Sequence, residues 1–82
     1  MNIENIITLI HMYLKEAEAE EGHNPALILM NRSFTIGKIY GLLEILQTVD
    51  LDRFVTEYES ITGRLHALIE KNDILYVGLK EA

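Results

Sequence analysis

The central segment of this 82-residue chain, Pro25–Val49, has the sequence PALILMNRSFTIGKIYGLLEILQTV. At 3.6 residues per turn, a helix over this segment places most of its large aliphatic side chains on one broad face. The residues of that face are Ile28, Leu29, Thr35, Ile36, Ile39, Leu42, Leu43 and Leu46. A helix that is apolar over so much of its circumference must be covered on several sides. We therefore expect it to be the central helix of a small bundle.

A second, narrower apolar stripe follows the same segment. Its large members are Leu27, Phe34 and Ile45, and Gly37 and Gly41 stand four residues apart beside them. Each glycine inside a helix costs about 1 kcal/mol relative to alanine, so the pair favours the close approach of another backbone. That backbone belongs either to the same chain or to a second copy. These five residues are our candidates for self-association.

The segment Ser33–Tyr40 (SFTIGKIY) has an alternative interpretation as a β-hairpin. It is rich in β-branched and aromatic residues, and Gly37-Lys38 fits a two-residue turn with glycine first. A continuous helix remains the preferred prediction because Ala26–Met30 and Leu42–Val49 have helical character on both sides. The 3.6-residue period also runs through the whole segment.

Two further helices are predicted, over residues 3–21 and 51–71. Asn2 and Asp50 can cap their first turns, and the dipeptide Asn24-Pro25 marks the start of the central helix. The predicted buried arc of the third helix comprises Leu51, Phe54, Val55, Tyr58, Ile61, Leu65, Leu68 and Ile69.

We expect Asn72-Asp73 to interrupt the third helix and to leave a short C-terminal tail, Ile74–Ala82. That tail could form a strand, a short helix or a segment donated to another subunit. The sequence thus predicts a single all-α domain, residues 1–82, folded as a three-helix bundle or a helical dimer.

Composition excludes several classes of function. Thirteen acidic and seven basic residues give a net charge of −6, which disfavours binding to nucleic acid and to anionic membranes. The chain has no cysteine, so disulfides, thiolate metal sites and a cysteine nucleophile are excluded. No apolar run approaches 18 residues and the N-terminus is not basic, so we expect a cytoplasmic protein without a membrane span.

The polar side chains predict no catalytic residue, metal site or cofactor. The third helix carries Asp52, Glu59, His66 and Glu70 on one face, but that face points away from the predicted core. Metal-binding carboxylates of helical bundles point inward, so we interpret this face as solvated surface. We therefore do not expect an enzyme.

The leading functional hypothesis is a non-enzymatic, regulatory protein-binding module, in its sharper form an inhibitor of a protein partner. Four carboxylates at the end of the first helix are the candidate partner-binding residues: Glu16, Glu18, Glu20 and Glu21. The alternatives are a self-assembling structural protein and a small helical enzyme or metal-binding protein. Because one three-helix bundle cannot easily cover both stripes of the central helix, we also expect a homodimer.

Overall fold

A computed structural model describes residues 2–81, which form three helices and no strand. The helices are α1 (Ile3–Glu18), α2 (Pro25–Val49) and α3 (Leu51–Glu81). They pack side by side in an elongated bundle whose Cα atoms span 45 × 17 × 15 Å. The prediction of an all-α three-helix bundle is confirmed, and the hairpin over Ser33–Tyr40 is wrong because α2 runs unbroken through it.

The predicted caps begin all three helices. The Asn2 side chain accepts from an amide two residues further on, at 2.9 Å, and the Asn24 side chain accepts from the amide three residues on, at 3.2 Å. Asp50 does the same for α3 at 3.1 Å. Each bond satisfies an amide that has no partner within its own helix. Local sequence therefore fixes where each helix begins.

The end of α1 comes three residues earlier than predicted, at Glu18 rather than at residue 21. Negative charge near the C-terminus of a helix is unfavourable, which weakens this last acidic turn. Gly22, at φ +154°, then turns the chain toward α2.

The predicted stop of α3 at residue 71 is wrong, because the helix continues to Glu81. Asn72 does not interrupt it: its side chain is buried and bonded to residues of α2 instead of to its own backbone. The tail predicted to begin at Ile74 is therefore helical as far as Glu81, and Leu75 and Leu79 are half-buried. Ala82 lies outside the described residues.

The core is a single apolar cluster between the three helices. Its buried members are Ile6, Ile7, Ile10, Leu14, Ala17, Ile36, Ile39, Leu43, Leu46, Ile61, Leu65 and Leu68. The central position predicted for α2 is confirmed, since α2 packs against both other helices while α1 and α3 touch less.

The buried arc predicted for α3 is only partly correct. Ile61, Leu65 and Leu68 are buried, but Leu51, Val55 and Tyr58 are half or more exposed. The residues of α3 that face the other helices recur at spacings of three and four. Two of them, Glu57 and Asn72, are polar. The full set comprises Phe54, Glu57, Ile61, Leu65, Leu68, Asn72, Leu75 and Leu79. The prediction considered only which residues are apolar, and it therefore included the exposed positions Leu51, Val55 and Tyr58.

Candidate functional site

The apolar line on the solvent side of α2 is the strongest candidate for a functional surface. We call this line the α2 outer face, comprising Leu27, Met30, Phe34, Gly37, Gly41 and Ile45. Its large side chains are 47%, 49%, 66% and 37% exposed at Leu27, Met30, Phe34 and Ile45. Within residues 2–81, no helix covers them.

The two glycines of the α2 outer face serve no close contact inside the chain. A Cβ atom built at Gly37 or at Gly41 would meet no atom within 4 Å. The chain therefore carries two destabilising helical glycines, about 1 kcal/mol each, without any internal contact that needs them.

A shallow groove adjoins this face where α1 packs against α2. Leu9 and Tyr13 of α1 line it together with Gly41 and Ile45 of α2, and its volume is about 300 Å³. The ammonium nitrogen of Lys38 lies 5.3 Å from the centroid of the Tyr13 ring. This cation–π contact holds the positive charge against α1, beside the apolar line.

A series of ion pairs and hydrogen bonds joins α1 to α3. Arg53 pairs with Glu4 and lies 3.6 Å from Glu57, and the Glu57 carboxylate lies 3.8 Å from Nε2 of His11. Nδ1 of His11 in turn lies 3.4 Å from the Arg64 guanidinium. His11, the histidine at the edge of the core, thus bridges groups of opposite charge.

This series of contacts ends at the pair between Arg64 and Glu18. Nε of Arg64 donates to a carboxylate oxygen of Glu18 at 2.9 Å. The hydrogen bond from Arg64 holds the pKa of Glu18 below its ordinary value and raises the pKa of the guanidinium. Both groups are therefore charged at neutral pH, and neither is poised to exchange a proton.

The four carboxylates predicted to bind a partner differ in their contacts within the chain. Glu18 is paired with Arg64, and Glu20 accepts from the Asn31 amide at 3.2 Å. Glu16 and Glu21 are exposed and make no ion pair within residues 2–81. Only these two remain fully available to a basic partner.

A buried polar cluster around Arg32 was not predicted. The guanidinium donates to the carbonyl oxygens of Ala17 and Glu20, both at 3.4 Å, and to Oδ1 of Asn72 at 3.1 Å. The Asn72 amide donates to the Ser33 hydroxyl at 3.1 Å. Arg32 thus caps the C-terminus of α1, where a cation is favourable. The cluster ties three helices together.

The structure exposes all four polar residues that the sequence places on a solvated face of α3: Asp52, Glu59, His66 and Glu70. Across residues 2–81, no group of three or more histidine, aspartate or glutamate side chains converges in a way that could hold a metal ion. None of the helices in this part of the chain has the length and apolar content needed to cross a bilayer.

Comparison with known proteins found no matching family model, no matching curated protein and no matching solved structure. No function is therefore carried over to this chain from a relative.

Proposed function

We propose that the protein is a non-enzymatic, protein-binding module whose working unit is a homodimer joined through the α2 outer face. The observation that carries this proposal is the exposure of Phe34, 66%, in the middle of a continuous apolar line on the central helix. Large apolar side chains in a row on a surface are characteristic of an interface.

The surface area of the chain supports association. The accessible surface is 5547 Å² for a mass of 9.4 kDa. A typical monomer of that mass exposes about 5,000 Å². The excess arises because the bundle is long and narrow, and because one face of its central helix has no cover.

The expected interface is modest in size. A helix of 25 residues is about 37 Å long and 10–12 Å wide, so pairing two copies of α2 buries on the order of 800 Å² in total. Stable interfaces bury about 1,200–2,000 Å². Contacts from the flanking residues Leu9 and Tyr13 would bring the area toward that range, and we expect a dissociation constant in the micromolar range.

Electrostatics predict how this dimer responds to salt. Each copy carries a net charge of −6, so two copies repel one another over their whole surfaces. Salt screens that repulsion but does not weaken the contact between the two apolar faces. Dimerisation should therefore strengthen between 50 and 500 mM salt. Binding of a basic partner to carboxylates would weaken over the same range.

Light scattering coupled to size-exclusion chromatography tests the proposal. The parent chain should elute at twice 9.4 kDa at tens of micromolar, and Phe34→Glu should elute as a folded monomer. The matched control is Val55→Glu, because Val55 is 64% exposed but lies on α3. A parent mass near 9.4 kDa at every concentration would overturn the proposal, and so would a dimer that survives Phe34→Glu.

A second candidate is the inhibition of a basic protein partner through the unpaired carboxylates Glu16 and Glu21. It is favoured by their exposure beside the end of α1 and by the acidic charge of the chain. Capture from a host lysate by immobilised protein, followed by mass spectrometry, tests it. The captured partner should be lost in a Glu16→Gln/Glu21→Gln variant and retained in a Glu59→Gln control. Equal capture by both variants would contradict this role.

A further inference from the structure

We propose that a cleft between α2 and the first half of α3 binds a quaternary ammonium group. We call it the aromatic cleft, and its argued residues are Tyr40, Leu43 and Glu44 of α2 with Phe54, Tyr58 and His66 of α3. The aromatic cleft shares no residue with the α2 outer face, so its occupancy does not depend on the proposed homodimer.

Helical spacing and the short connection between α2 and α3 build this cleft. Tyr40 and Glu44 stand four residues apart on one side of α2, and Phe54 and Tyr58 do the same on α3. Only Asp50 separates the two helices, so they run antiparallel and the two pairs meet across the cleft. Leu43, which is buried, lies at its base.

Aromatic rings form much of its wall. The chain has four tyrosines and two phenylalanines, and three of these six rings line this one cleft. The rings of Phe54 and Tyr58 are tilted by 56° with their centroids 5.3 Å apart, while Tyr40 faces them from α2. Tyr40 and Tyr58 are about half exposed, so a ligand can reach both rings. The faces of such rings attract cations.

The charges around the cleft also favour a cation. Within residues 2–81, Glu44 makes no ion pair, and no lysine or arginine lines the cleft. Lysines of the chain lie over the rings of Tyr13 and Tyr76 instead, 5.3 and 5.5 Å from the centroids. The net charge of −6 raises the local concentration of any positive ligand.

The chemistry of the walls selects the kind of cation. A primary ammonium has three N–H donors that need acceptors, and a metal ion needs several oxygen ligands, whereas this lining is mostly apolar and carries one carboxylate. A quaternary ammonium has no N–H donor and packs its methyl groups against ring faces. The cleft volume of about 230 Å³ lies below the range of about 300–1,000 Å³ for drug-sized ligands, so it suits a single head group. A free choline-like compound and a trimethyllysine side chain both present this group.

A titration with choline, followed by NMR of the aromatic ring protons, tests this site. The matched neutral probe is dimethylbutanol, in which carbon replaces the charged nitrogen. At pH 8, histidine is ordinarily neutral, so His66 adds no repulsion. Choline should bind with a dissociation constant on the order of 1 mM, and the neutral probe at least about fivefold more weakly. Equal affinity for the two probes would overturn the cation–π site.

Variants locate the binding. Tyr58→Leu removes a ring but keeps an apolar side chain, so choline binding should weaken by about two- to fivefold, whereas Tyr58→Phe should bind like the parent. Glu44→Gln should also weaken binding, whereas Glu16→Gln, which removes the same charge from α1, should not. Circular dichroism checks that each variant is folded. Unchanged affinity in both Tyr58→Leu and Glu44→Gln would overturn the assignment of this cleft.

A short peptide that carries trimethyllysine distinguishes the two sources of the ligand. Tighter binding of this peptide than of choline, with none of the unmodified peptide, would identify a modified protein as the source. Tighter binding of choline would identify a free compound. No ring-proton shift with either ligand up to about 20 mM would refute the site.

Discussion

Removing the Asn72 side chain should destabilise the protein more than any change at the exposed residues beside it. In Asn72→Ala, the Arg32 guanidinium loses a buried acceptor at 3.1 Å and the Ser33 hydroxyl loses a donor at 3.1 Å. Arg32 is only 8% exposed, so water cannot readily replace the lost bond. The Arg32 guanidinium is left buried without this acceptor, whereas the Ser33 hydroxyl is exposed and can bond to water instead.

The size of the effect follows from these two bonds. A hydrogen bond to a charged group contributes about 1.5–3 kcal/mol, and one between neutral groups about 0.5–1.5 kcal/mol. Alanine has a higher helix propensity than asparagine, which offsets roughly 0.5 kcal/mol of this loss. The free energy of unfolding should therefore fall by about 1.5–4 kcal/mol. With an m-value of about 1 kcal/mol/M, the midpoint in urea falls by about 1.5–4 M.

Urea unfolding followed by circular dichroism measures this change. The background should be Phe34→Glu, so that unfolding is not coupled to association. Asp73→Ala is the matched control, because Asp73 is exposed and should change stability by less than about 0.5 kcal/mol. Equal midpoints for Asn72→Ala and Asp73→Ala would refute the buried bond to Arg32.

A double-mutant cycle separates that bond from simple loss of packing. Arg32→Met/Asn72→Leu replaces the polar pair by apolar side chains of similar volume, which is often neutral or stabilising. The double variant should therefore be more stable than the sum of the single effects by at least about 1.5 kcal/mol. Additive single effects would mean that the two side chains act independently.

Four further substitutions test the core, the helical and turn glycines, and the ion pairs. Leu65→Ala, at a fully buried site, should lower the free energy of unfolding by about 2–4 kcal/mol in thermal melts, and a melt like that of the parent would contradict its burial. Gly63→Ala should raise stability by up to about 1 kcal/mol because its Cβ enters open space on a helix. Gly22→Ala should lower it by about 1–3 kcal/mol because φ is +154°, and the opposite order of the two variants would contradict the turn. Arg64 lowers the pKa of Glu18 below its unfolded value of 4.5, so their pairing stabilises the fold above that pH and is lost as the pH falls through the folded pKa. Arg64→Gln should therefore lose less stability than the parent between pH 5 and pH 3, by under about 1 kcal/mol for an exposed pair, and identical acid profiles would contradict the pairing.

The parts of the fold that sequence predicts well are those fixed by neighbouring residues. Asn2, Asn24 and Asp50 cap helices through bonds to amides two or three residues away, so their effect is visible locally. The continuation of α3 through Asn72 depends on Arg32, which is 40 residues away in the sequence. A buried asparagine with a distant partner has the same local signature as a helix-ending asparagine, so the sequence alone could not distinguish them.

The candidate surfaces divide in the same way. A helical period separates Phe34 from the core face without any tertiary knowledge, and Phe34 is exposed in the structure. The sequence could not show which acidic residues at the end of α1 are paired and which are free. The partners of Glu18 and Glu20 lie on α3 and α2, far away in the sequence. One signal could have revealed the Arg32 cluster: position 72 continues the line of core positions along α3. A polar residue on such a line demands a buried partner.

The exposed apolar residues of α3 raise the question of why the seam is placed on α2. Leu51, Val55 and Tyr58 occupy only the first two turns of α3, and Ile74 and Val77 lie at its far end on a different side. Scattered apolar residues of this kind are normal on a soluble surface. The α2 outer face instead continues along one side of its helix for about five turns. The space above its two glycines is open and can accommodate a large side chain of another molecule. If α3 carried the seam, Val55→Glu would release the monomer and Phe34→Glu would leave the dimer intact, which is the reverse of the expected result.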